Sequence, residues 1–159
     1  MTSATPLRVP AVGELAPEVV LPSTAGEIVT LSSFRGKRNV LLAFFPMAFT
    51  SVCTAEMCSF RDDYDAFIGQ DVVVFPVSVD MIPSLKEFKA KYDMPVDLLS
   101  DYKRVVSTAF GVLLPEKFYA NRSYFLIDKA GVIRWAWVEE HSGRRRENAE
   151  ILAEIAKLG

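Results

Sequence analysis

Apolar residues recur along this chain with two periods. The runs at 19–21, 28–31, 40–45, 72–79, 124–127 and 132–138 are alternating or continuously apolar and have strand length. Segments 53–68, 84–92, 103–110 and 144–158 instead repeat apolar residues every three or four positions, which predicts helices. Asp128-Lys129-Ala130-Gly131 separates the last two strand runs and reads as a tight hairpin turn. Helices alternating with strands require crossovers, so the prediction is an α/β fold with a mixed central sheet covered on both faces. A thioredoxin-like order fits this pattern, although periodicity alone also permits other α/β folds.

The 159 residues, half of them hydrophobic, suit one domain with one substantial core. Residues 1–12 read as an arm that packs on the surface or on a partner subunit. A formal net charge of −2 gives no electrostatic reason to expect nucleic acid. The basic run Arg144-Arg145-Arg146 is followed by Glu147, Glu150 and Glu154, and reads as a solvated helix start. The first 14 residues lack the apolar centre of a secretory signal. No stretch reaches the roughly 18 apolar residues of a membrane span. The expectation is therefore a cytoplasmic protein with no membrane contact. Two cysteines are too few for a secreted disulfide scaffold. The glycosylation-like triplet Asn121-Arg122-Ser123 is then a chance match.

The segment from Phe44 to Cys58 carries the chemistry. A buried strand ends at Phe45, Pro46 removes a ladder donor and stiffens the loop, and that loop delivers Cys53 to the first turn of a helix. Cys53, Met57, Phe60, Tyr64 and Phe67 follow a 4-3-4-3 spacing, which turns one apolar stripe inward. At a helix start, free backbone N–H groups and the positive dipole end favour a thiolate. Thr50 places a hydroxyl three residues before the sulfur, able to orient both thiolate and substrate. A free cysteine on an apolar stripe is otherwise commonly a small core residue. Cys58 lies about 140° around the helix from Cys53, among Thr54, Arg61 and Asp65, so core packing explains it poorly.

Pro46, Thr50 and Cys53 have the spacing Pro-x-x-x-Thr-x-x-Cys, which resembles the active-site signature of peroxiredoxins. Glu56 matches an acidic or amide position of that family. Asn121-Arg122-Ser123-Tyr124-Phe125-Leu126-Ile127-Asp128 is similar to the strand bearing its active-site arginine, here Arg122. The stretches 11–22, 77–80 and 98–101 fit the same family in order, so the resemblance covers residues 9–158. It implies a thioredoxin-like fold and a thiol-dependent peroxidase acting on hydrogen peroxide, organic hydroperoxides or peroxynitrite. Thiolate attack on one peroxide oxygen needs a fixed positive charge for the departing oxygen, the part Arg122 would play. The product would be a sulfenic acid at Cys53, resolved by a second thiol. The residues from Pro46 to Thr50 resemble the AhpE-like one-cysteine group. Cys58, five residues after Cys53, instead stands at the resolving position of the PrxQ (bacterioferritin comigratory protein) group, without that group's Thr-Pro-Gly-Cys loop. The resemblance implies a thioredoxin- or glutaredoxin-type reductant, no cofactor and no metal. Together with the aromatic strand 132–138 and the arm, it also implies a homodimer.

Other chemistry is weakly represented. His141, the only histidine, lies in a polar Glu-Glu-His-Ser-Gly loop remote from Cys53. Two cysteines and one histidine at these spacings do not make a zinc site. No glycine-rich phosphate loop is present. Disulfide exchange on proteins is weakened by the lack of Cys-x-x-Cys. A redox sensor oxidised at Cys53 with little turnover remains the alternative to a peroxidase.

Overall fold

The computed structural model describes residues 8–158. A short antiparallel pair, β1 (Val20–Pro22) and β2 (Ile28–Thr30), precedes a 3-10 turn at Leu31–Phe34. Then follow β3 (Asn39–Phe44), α1 (Ser51–Asp62), α2 (Tyr64–Ile68), β4 (Val72–Ser78) and α3 (Ile82–Lys91). The second half contains β5 (Leu99–Ser100), α4 (Val105–Ala109), the small pair β6 (Leu113–Leu114) and β7 (Tyr119–Ala120), β8 (Ser123–Ile127), β9 (Ile133–Val138) and α5 (Asn148–Ala156). Five strands form the central sheet in the order β5-β4-β3-β8-β9. β3 runs parallel to β4 and antiparallel to β8, so Leu41 lies opposite Val74 on one side and Leu126 on the other. The sheet is mixed, as the alternation of helices and strands predicts.

Strand alternation divides the core into two layers. Leu41, Ala43, Val74, Tyr124 and Leu126 face α1, α3 and α5, where they meet Met57, Phe60, Leu85, Phe88, Ile151 and Ile155. Val40, Leu42, Phe44, Phe75, Val77, Phe125 and Ile127 face the opposite side, against Leu21, Leu31, Val106 and Phe110. The central strands are apolar without interruption because both of their faces are covered. Among the described residues, no helix is long and apolar enough to cross a membrane.

Three sequence expectations change. The helix expected over 53–68 starts at Ser51 and breaks at Asp63 into α1 and α2. At that break the Asn148 side-chain amide, from the start of α5, reaches Ser59 O at 2.9 Å, Ser59 Oγ at 2.8 Å and Asp63 Oδ2 at 2.8 Å. The last helix begins at Asn148 rather than Arg144, and Arg145 and Arg146 lie against the protein instead of coiling in solvent. The side chains of Arg145 and Arg146 are only 24% and 20% exposed. The 2-residue strands β5, β6 and β7 are too short to leave a periodic signal. Of the expected arm, residues 1–7 lie outside the described residues. Pro10 is buried, and the Gly13 N–H donates to Ile133 O at 2.8 Å. The chain just beyond the arm thus lies along the start of β9.

Candidate active site

The strand β3 ends in the core, and Phe45 and Pro46 continue buried into a short loop. Two features hold that loop. The Ala48 N–H donates to Asp80 Oδ2 at 2.9 Å, and the same oxygen accepts from Ser78 Oγ at 2.7 Å, which ties the loop to the end of β4. Phe49 has φ +68°, a left-handed conformation unusual for a bulky residue, and its ring packs on Phe88 with centroids 5.0 Å apart. Non-glycine residues in this conformation cost of order 1–3 kcal/mol and persist where surrounding structure over-determines them. The turn at Phe49 lets Thr50 cap α1 in extended conformation, and Cys53 falls in the first helical turn. That placement agrees with the sequence reading.

Cys53 is 1% exposed, and Arg122 and Glu56 beside it are equally enclosed. Arg122 stands at the entry to β8, and each of its three guanidinium nitrogens donates to a different partner. Its Nη2 donates to Cys53 Sγ at 3.0 Å, its Nη1 to Glu56 Oε1 at 2.8 Å, and its Nε to Ser142 O at 3.2 Å. Burial works against this charge, but the negative charges of Glu56 and Cys53 outweigh it, so Arg122 remains protonated throughout. Glu56 is thus the buried counter-ion of Arg122. Burial pushes the Glu56 carboxyl above the ordinary carboxylate value, against the opposing pull of Arg122, Tyr124 and the more distant Arg145.

The site continues beyond the residues that sequence reasoning proposed. The Tyr124 hydroxyl donates to Glu56 Oε2, and its oxygen accepts the Arg146 N–H at 3.0 Å. Arg146 also donates through Nε to Glu139 Oε2 at 2.9 Å, while Trp137 Nε1 donates to Glu139 Oε1 at 3.1 Å. Asn121 fixes the start of β8, with Oδ1 accepting the Arg122 N–H at 3.0 Å and Nδ2 donating to Glu139 O at 2.8 Å. Tyr124 could have been found from the sequence, since residues 122 and 124 of one strand share a face. Arg145, Arg146 and Glu139 gave no such signal, because they are brought together by a loop of irregular conformation.

Two proposed residues lie at the margin. Thr50 is exposed, and its hydroxyl donates to Met47 O at 2.8 Å. Cys58 is half-buried on the same regular helix as Cys53, and both thiols are free. His141 is exposed in its loop and accepts the Gly143 N–H at Nδ1. Among the described residues, no group of acidic, cysteine and histidine side chains could hold a metal ion.

A cysteine in the first turn of a helix, with an arginine fork on its sulfur and a mixed sheet behind it, defines a thiol-based redox site on a thioredoxin-like scaffold. Comparison with known proteins makes this specific. Residues 12–136 match the AhpC/TSA family. The chain is 37% identical over 131 residues to alkyl hydroperoxide reductase E of Mycobacterium tuberculosis, covering 81% of this chain and 86% of that protein. It is 33% identical over 153 residues to peroxiredoxin Bcp of Bacillus subtilis, covering 90% and 97%. Among solved structures, the reduced 2-Cys peroxiredoxin of Plasmodium vivax superposes with a TM-score of 0.85 at 30% identity, covering 92% of this chain and 81% of that one. Peroxidoxin BcpB of Mycobacterium tuberculosis gives 0.83 at 26% identity, covering 93% and 97%. The chain belongs to the AhpC/TSA family of peroxiredoxins, and it is a peroxidase of the oxidoreductase class with a thioredoxin-like fold.

Proposed function

We propose that Cys53 is the peroxidatic thiolate and that it reduces hydrogen peroxide, organic hydroperoxides or peroxynitrite through a sulfenic acid. The observation that carries this reading is the 3.0 Å contact between Arg122 Nη2 and Cys53 Sγ inside a closed site. The sulfur attacks one peroxide oxygen and the O–O bond breaks; the second oxygen leaves as hydroxide or alkoxide, which takes a proton, or as nitrite where the substrate is peroxynitrite. Arg122 offers planar, permanently charged donors both to the thiolate and to the charge that develops on the leaving oxygen. Pro46 stiffens the loop in front of the sulfur. Thr50, by rotating from Met47 O, brings its hydroxyl to the incoming peroxide.

Cys58 then attacks the sulfenic sulfur, displaces water and forms an intramolecular disulfide, which a thioredoxin- or glutaredoxin-type dithiol reduces. The protein works in the cytoplasm as a homodimer. The exposed end of the edge strand β9, with Trp137 and Val138, supports the dimer, and sedimentation showing only monomer at micromolar concentration would reject it. Stopped-flow oxidation with one equivalent of peroxide tests the nucleophile. Cys53→Ser should abolish peroxide consumption, and Cys58→Ser should leave the first oxidation intact. Consumption by Cys53→Ser at the wild-type rate would overturn the assignment.

A further inference from the structure

Tyr124 is a buried group that joins the site to the rest of the fold without a part in the chemistry above. We propose that Tyr124 is a positioning residue: its phenol holds Glu56 as the ionised partner of Arg122, and so holds the Arg122 fork on the Cys53 sulfur. The inference rests on the reading of Cys53 as the reacting thiolate.

The argument is one of hydrogen-bond accounting. Tyr124 is fully enclosed, with its ring stacked on Trp135 at 6.2 Å between centroids. Its oxygen already accepts the Arg146 N–H at 3.0 Å, so the hydroxyl has a single proton left to place. Among the described residues that proton has one acceptor, Glu56 Oε2. Glu56 Oε1 accepts from Arg122. Both carboxylate oxygens are therefore committed to donors, an arrangement that suits the anion. A protonated Glu56 would place a second hydrogen between two oxygens where Tyr124 already supplies one.

The surrounding charges show why this donor matters. Glu56 faces Cys53 on its own helix, Arg122 at the entry to β8, Tyr124 on β8, and Arg145 and Arg146 in the stretch before α5, with Glu139 bound to Arg146 behind them. Cys53 and Glu56 thus share one arginine as two adjacent negative groups. Burial favours protonating the Glu56 carboxyl. Burial, and then the charge of Glu56, push the Tyr124 phenol well above its ordinary value, so it stays a donor at every working pH. Its hydrogen bond offsets the desolvation of the carboxylate, and the carboxylate then fixes Nη1 of Arg122 while Nη2 points at the sulfur. A simple packing residue at this position would fill the same space without setting the charge of Glu56.

The test is the pH dependence of Cys53 oxidation by hydrogen peroxide, measured by stopped flow, with Cys53 ionisation followed separately by thiolate ultraviolet absorbance. Tyr124→Phe keeps the ring and removes the donor, so the rate should fall about tenfold on the acid side, and its acid limb should move up by about one pH unit. In a Glu56→Gln background, Tyr124→Phe should move nothing further, since the titrating partner is gone. Difluorotyrosine at position 124 keeps the hydroxyl and makes it a stronger donor, so the limb should move down; this variant decides the matter if Tyr124→Phe folds poorly. A uniform loss of rate at all pH values, or an unchanged limb in both variants, would show a packing role and overturn the proposal. Failure of wild-type Cys53 to react rapidly with peroxide would instead defeat the underlying reading of the nucleophile. The two failures are separated by the wild-type trace alone.

Discussion

If Cys53 and Cys58 form a disulfide, α1 must open to allow it. Both cysteines lie in one regular helix, Ser51–Asp62. Five residues of rise give about 7.5 Å, and 140° of rotation adds a chord of about 4.3 Å, so their Cα atoms are about 8.7 Å apart. A disulfide needs Cα atoms within roughly 7 Å. Unwinding the first two turns withdraws Met57, which is 0% exposed, at a cost of about 1.5–3 kcal/mol. It also breaks the buried hydrogen-bonded pair of Glu56 and Arg122, at about 1.5–3 kcal/mol more. At about 1.4 kcal/mol per factor of ten, the closure-competent form is populated at about one part in a hundred to one in ten thousand. Disulfide formation should therefore lag well behind peroxide attack. Hydrogen exchange by mass spectrometry should show protection lost over residues 51–58 in the disulfide form and retained in β3 and β8. Met57→Ala removes most of the first cost and should speed closure about tenfold or more, leaving the attack rate near wild type. A mass-verified Cys53–Cys58 disulfide with α1 protection unchanged would refute the geometric reasoning. Closure at the wild-type rate in Met57→Ala would refute the energetic part.

Three further outcomes are expected. Arg122→Lys keeps a charge but loses the planar fork that reaches sulfur, carboxylate and backbone at once, so peroxide attack should slow about a hundredfold in stopped flow; an unchanged rate would remove Arg122 from the mechanism. Because burial raises the folded-state value of Glu56 above its ordinary 4.5, the folded form binds the more protons between those two values. Stability attributable to Glu56 is then full below the ordinary value and falls as pH rises through the raised one, and Glu56→Gln should flatten that slope in urea titrations taken across pH. Asn148→Ala strips Ser59 and Asp63 of their partner, and should lower stability by about 1–3 kcal/mol in denaturant unfolding without changing the rate of peroxide attack.

Much of this site was legible in the sequence, because its parts are local. Cys53, Met57 and Phe60 share one helical stripe, and Pro46 and Thr50 lie within seven residues of the sulfur. Their placement follows from chain geometry over two elements. Arg122 is 69 residues from Cys53, and only the resemblance to a family motif could pair them before the sheet brought β8 beside β3. Glu56 was legible as a candidate but not as the partner of Arg122, since nothing in the sequence shows that it is buried. The arginine run misled because charge near a helix start usually means solvent. Here Glu139, the Tyr124 hydroxyl and the Trp137 ring draw Arg146 inward, and none of these is near it in the chain's periodic pattern. Thr50 shows the converse: its spacing to Cys53 is plain in the sequence, but that its hydroxyl donates to Met47 O is not.

The Asn148 clamp on Ser59 and Asp63 also bounds how far a rearrangement of α1 can travel. Upstream, the Ala48 N–H is fastened to Asp80; downstream, Ser59 is fastened to α5. Between these two moorings lies a stretch of about ten residues that can change conformation while its ends stay where the sheet and the last helix put them. Closing a short tethered loop of this kind costs little chain entropy beyond what the moorings have already removed. The oxidised and reduced proteins should therefore present the same surface everywhere except across that one window. If Cys53 and Cys58 pair, a reductant that distinguishes the two forms must read the window itself.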